Sequence, residues 1–100
     1  MAIDAQDKKF LVEAEKALAA AWDRYHAADE ADRLELYPQV ELAYRNWIEI
    51  RIRLMEPGTL SSAADVAEAR ALGTAIRNAA NHQKLVLALV RFVALLGKFA

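Results

Sequence analysis

The pair Pro57-Gly58 constrains this chain most, because it is the clearest turn signal in the sequence and almost nothing else interrupts it. Only one other Pro, Pro38, and two other Gly, Gly73 and Gly97, occur in 100 residues. Ala (22) and Leu (13) dominate the apolar positions, and both are strong helix formers. The long segments between breaks therefore read as helices, and the fold class is all-α. One domain over residues 1–100 is the expectation for this length. Cysteine is absent, which removes disulfides, thiolate metal sites and Cys nucleophiles from consideration.

The first helix is expected from about residue 5 to 31, with Asp4 as its N-cap. Its apolar rows are Phe10, Ala14, Ala17, Ala21 and Ala28, and beside them Leu11, Leu18, Trp22 and Tyr25. Asp29, Glu30 and Asp32 suit a helix start better than a helix end, because of the macrodipole. Asp32 with Glu35 reads as the cap of a short turn. Pro38 lacks an N–H and clashes with the carbonyl four residues back, so a main second helix is expected over about 38–55. Residues 48–54 (IEIRIRL) also alternate with period two, a strand pattern. No second strand candidate exists for them to pair with, and helix is preferred.

Ser61 or Ser62 caps the remaining segment, with Ser62-x-x-Asp65 approximating a capping box. Asn78-Ala-Ala-Asn81 contains weak helix formers, but Arg70, Arg77, Lys84, Arg91 and Lys98 recur every seven residues without slipping. That register favours one long helix over 63–97. Such a helix would extend ~50 Å against ~27 Å for helix 38–55. Its overhanging end would be its most apolar part: Leu85, Leu89, Phe92, Leu96 and Phe99 form one row, and Val86, Val90 and Val93 another. The sequence therefore predicts a three-helix chain with a long C-terminal helix, completed as a bundle by homodimerisation. The expected interface is Leu85, Leu89, Phe92, Leu96 and Phe99, with Ile48, Ile52 and Met55 from the second helix.

Function follows from that expectation as a non-enzymatic protein-interaction or adaptor module whose first partner is a copy of itself. Net charge is −1, which argues against a general polyanion binder. Charge is segregated, however: residues 1–34 carry 8 acids and 5 bases, and residues 60–100 carry 2 and 5. The heptad of bases is thus an alternative surface for nucleic acid or an anionic membrane. It lacks the interleaved aromatic or Asn/Gln rows that read bases.

Asp23, His26 and Glu30 share one side of a continuous first helix, where imidazole between carboxylates is metal-ligand chemistry. The fuller Glu and His set of di-metal bundles is missing. His82 with Asn78, one turn apart, reads as a local polar pair. Asp32-x-x-Glu35 and Asp65-x-x-Glu68 resemble the acidic pairs with which helical nucleotide pyrophosphohydrolases hold magnesium, though they depart from that family's Glu-rich pattern. The resemblance implies a small magnesium-dependent hydrolase. No nucleophile triad, Gly-rich phosphate loop or Walker motif supports an enzyme, and no cofactor is expected. Trp22, Tyr25, Tyr37, Tyr44 and Trp47 read as core or interface anchors. The opening MAIDAQDKKF has no apolar stretch behind a basic start, so no signal peptide is expected. The apolar run Leu85–Ala100 is interrupted by Arg91 and Lys98, and a cytoplasmic protein is expected.

Overall fold

The computed structural model describes residues 4–56 and 58–100. Among them are four helices and no strand: α1 (Ala5–Ala27), α2 (Glu30–Arg53), α3 (Ala63–Asn78) and α4 (His82–Gly97). Residues 48–53 are helical, so the strand alternative is settled. The first expected helix stops four residues early, because the acids at 29–32 begin a helix instead of ending one. Asp29 caps α2, its carboxylate accepting from the Asp32 N–H at 2.9 Å. Asp32 and Glu35 are therefore inside the first turns of α2, not the cap of a separate one. Pro38 also lies inside α2, eight residues after its start. It and Leu34, whose carbonyl it cannot reach, are both solvent-exposed, so water can take the hydrogen bond that Pro38 cannot donate. The turn expected at Pro57-Gly58 falls partly outside the described residues; Gly58 has φ 104°, the left-handed region where a side chain is strained.

The largest correction is to the C-terminal helix, which breaks at 79–81 into α3 and α4. Asn81 takes an extended conformation (φ −150°, ψ 173°), and its side chain accepts from the Lys84 N–H at 2.9 Å, capping α4. Arg24, reaching from α1, donates to the carbonyls of Ile76, Arg77 and Ala79 at 3.1, 3.0 and 2.9 Å. It thereby satisfies the orphan carbonyls at the end of α3. The basic register could not reveal this break. Solvent positions recur about every seven residues on any amphipathic helix, and a three-residue interruption need not disturb the count.

Hydrogen bonds at the helix ends fix the topology. Asp7, near the start of α1, accepts from the backbone of Leu60 and Ser61 and from the Ser61 hydroxyl, just before α3. With Arg24 at the other end, this makes α1 and α3 parallel. His82 at the start of α4 meets Glu35 near the start of α2, so that pair is parallel too. Lys98 after α4 meets Asp65 in the first turn of α3, so α3 and α4 run antiparallel. Contacts join α1 to α3, α3 to α4, α4 to α2 and α2 to α1, which leaves α1–α4 and α2–α3 on the diagonals.

One apolar cluster runs through the middle of the four helices. It includes Phe10, Ala14, Ala17, Leu36, Val40, Ile50, Ile76, Leu89, Phe92 and Leu96. Phe10 and Phe99 meet with ring centroids 5.0 Å apart. The closest approach is between α1 and α3, where the position a Cβ would occupy on Gly73 lies 3.4 Å from Ala17 Cα and Cβ. Gly73→Ala would be accommodated at that spacing and gain helix propensity, leaving stability within ~1 kcal/mol of the parent. Gly73→Leu would force α1 and α3 apart at ~1–3 kcal/mol. Urea unfolding followed by circular dichroism measures both; equal stability of the Leu variant would contradict the close packing.

Candidate interaction surface

The five apolar residues of α4 and the segment just after it that were expected at an interface serve the chain's own interior. Leu85, Leu89, Phe92, Leu96 and Phe99 are all buried in one core shared with α1, α2 and α3. The break explains the difference: it turns the end of a ~50 Å rod back along α3, and the row of Leu85, Leu89, Phe92, Leu96 and Phe99 is covered by the same chain, while Leu87 and Val90 stay exposed. Ile48, Ile52 and Met55 remain exposed, Ile52 at 66%.

Ile48 and Ile52 belong to a larger surface on α2, and Met55 lies just beyond its end. Of eleven exposed large apolar side chains among the described residues, six lie on this helix: Leu34, Tyr37, Leu42, Tyr44, Ile48 and Ile52. Helix α2 buries Leu36, Val40, Ala43 and Ile50 on one side and shows water a second apolar side. Its sequence carries two apolar rows accordingly: Trp47, Ile50 and Leu54 on the covered side, and Ile48, Ile52 and Met55 beside it. At the edge toward α1 the surface merges with an aromatic seam. Trp22 meets Tyr44 edge-on at 6.3 Å, Tyr25 meets Tyr37 at 6.0 Å, and Trp22 meets Tyr25 at 5.8 Å. The Arg51 guanidinium sits 4.8 Å above the Trp47 ring. Trp47 is half-buried, and its indole N–H is enclosed with no acceptor among the described residues.

The basic residues do not form one line. Arg70 and Arg77 sit on α3, and Lys84 and Arg91 on the antiparallel α4. Arg70 pairs with Glu13 at 3.3 Å, and Lys98 pairs with Asp65 at 2.9 Å. Two of the five charges are thus engaged inside the chain, and a straight phosphate-tracking stripe is not present.

The two acidic pairs also lie apart. Asp32 and Glu35 face the first residue of α4, and Asp65 faces Lys98, beyond its last. A 16-residue helix separates them, ~24 Å at the usual rise. Among the described residues no three His, Asp or Glu gather as a metal-holding group. Asp23 and His26 are on α1, while Glu30 opens α2, so the expected single-helix row is divided by the turn. His26 packs on Trp22 with ring centroids 6.0 Å apart.

The charged groups that remain organised are ties between helix ends. A cavity of about 200 Å³ lies where α1, α2 and α4 meet, lined by Arg24, Asp32, Leu36, Asn81, His82 and Leu85 among others. Arg24 is occupied by carbonyls, and His82 Nε2 is 2.6 Å from Glu35 Oε2, with Nδ1 3.6 Å from Asp32 Oδ2. The hydrogen bond with Glu35 raises the His82 pKa; burial opposes this, and the charges of Asp32, Glu35 and Asp29 add to the rise. At the opposite end, burial works against the charge on Asp65. Hydrogen bonds from Lys98 and Ser62 outweigh it and hold the carboxyl below its usual range. The same ion pair raises Lys98. No helix among the described residues is long and apolar enough to cross a membrane. Comparison with protein-family models, characterised proteins and solved structures returns no match.

Because the folded His82 pKa lies above its ordinary value near 6.5, the tie to Glu35 contributes fully below that pH. Its contribution is lost as pH rises through the raised value. Thermal melts between about pH 5.5 and 8.5 should show stability falling over the alkaline part of that range, and His82→Gln should flatten the fall. An unchanged slope in the variant would assign the pH dependence to other groups.

Proposed function

We propose that this chain is a non-enzymatic helical interaction module that associates with a second copy of itself through the outer side of α2. The observation that carries this reading is the exposure of Leu34, Leu42, Ile48 and Ile52 on one helix whose opposite side already fills the core. Large exposed apolar patches mark interaction sites more often than they survive on isolated monomers. A twofold pair is the commonest assembly that covers such a patch. The contact surface is thus moved from α4, where the sequence placed it, to α2, with Ile48, Ile52 and Met55 retained.

Analytical ultracentrifugation at micromolar concentration tests the proposal. The expected result for the wild type is a species of about 22 kDa, twice the chain mass, as twofold association requires. Leu42→Glu with Ile52→Glu should return the 11.1 kDa chain, with helical circular dichroism unchanged because both positions are exposed. Lys84→Gln with Arg91→Gln should leave the dimer intact. A wild type that sediments as the single chain, or a double Glu variant that still dimerises, would overturn it.

A further inference from the structure

The outer side of α2 carries a charge row that is complementary to itself only when reversed. Glu41, Arg45, Glu49 and Arg53 follow one another at i, i+4, so they form one ridge along the helix with the signs −, +, −, +. At about 100° per residue, the direction opposite the half-buried Trp47 falls midway between Arg45 and Glu49. The ridge is thus centred on the side of α2 turned away from the core. Arg45, Glu49 and Arg53 are exposed, and Glu41 is half-exposed. Glu41 and Arg45 pair within the chain at 2.7 Å, whereas Glu49 and Arg53 enter no ion pair among the described residues. Leu42 flanks the ridge on one side and Ile48 and Ile52 on the other.

We infer that two copies associate antiparallel, α2 against α2, about a twofold axis level with Trp47. This rests on the α2 surface proposed above and specifies its partner and register. The axis sets Arg45 of one copy against Glu49 of the other, and Glu41 against Arg53, with each pair occurring twice. Ridges of i, i+4 residues are inclined by about 26° to their helix axis, so two such ridges run parallel to one another when the axes cross at about twice that angle. A parallel pairing in register would set Glu41 against Glu41 and Arg45 against Arg45, and like charges in contact disfavour the wrong arrangement. The same long side chains would shield Leu42 and Ile52 from water at the seam.

Reversing the whole row gives a decisive test: Glu41→Arg, Arg45→Glu, Glu49→Arg and Arg53→Glu in one chain. The internal Glu41–Arg45 attraction and the self-complementarity are both kept, so this variant should remain helical and dimerise like the wild type. Mixed with ¹⁵N-labelled wild type and analysed by native mass spectrometry, the two should sort, with mixed dimers about tenfold below the statistical proportion. The reason is that Arg45 of one chain would then face an Arg at position 49 of the other. Statistical mixing, preferential mixed dimers, or a folded variant that no longer dimerises would overturn the antiparallel register while leaving association through α2 standing. A monomeric wild type would overturn both. If the fourfold variant does not fold, Arg45→Gln with Glu49→Gln decides the question. Wild-type dimerisation should weaken with added salt and this variant's should not, and equal salt dependence would refute the pairing.

Discussion

The close contact of α1 with α3 is the constraint on which the rest of the arrangement depends. It is the most extensive of the helix–helix contacts, and Gly73 against Ala17 brings the two backbones nearer than larger side chains would permit. The Ala-rich side of α1, with Ala14, Ala17 and Ala21 all buried, offers little bulk to fill space. Cohesion there comes from many weak contacts at short range, which require both helices to stay straight and parallel. Polar ties at each end hold them so. Asp7 pins the segment before α3, and Arg24 gathers the carbonyls where α3 stops.

With α1 and α3 fixed side by side, the large side chains must come from the other pair. Phe92, Leu89 and Leu96 of α4 and Leu36, Val40 and Ile50 of α2 supply the volume that the Ala-rich pair lacks. Burying such side chains contributes ~1.5–3 kcal/mol each, which favours a chain reversal at 79–81 over a continuous helix that leaves them in water. Asn81 and Arg24 lower the cost of that reversal by satisfying the backbone groups it exposes. Helix α4 can therefore be apolar over much of its circumference, since α2 and α3 cover two sides of it and leave only Leu87 and Val90 exposed among its large apolar side chains. Helix α2 has no such cover on its outer side, where Leu34, Leu42, Ile48 and Ile52 stay exposed and the proposed contact is placed.

The caps of two helices were legible in the residues themselves, Asp4 for α1 and Ser62 with Asp65 for α3. At α2 only the preference of Asp29, Glu30 and Asp32 for a helix start was, since the sequence put the cap at Asp32 and the structure has it at Asp29. Pro38 misled because its penalty applies to any helix interior, while the offset came from Asp29 and from burial of Leu36 two residues away. Ile48 and Ile52 were legible as a second apolar row on α2. Leu34 and Leu42, exposed on the same helix, could have been found by the same count, because the helix carries apolar residues on more than one side.

The sequence by itself determined the all-helical class, the caps of α1 and α3 and the two-sided apolar character of α2, because these depend on local spacing and on residues within one or two turns. Tertiary structure alone decided that the C-terminal segment is two helices, since the carbonyls of Ile76, Arg77 and Ala79 are satisfied by an arginine more than fifty residues earlier. It also decided which apolar row is core and which is surface. The row at 85–99 and the row at 48–55 have similar composition and spacing. Only the packing of α4 between α2 and α3 removes the first from water and leaves the second exposed.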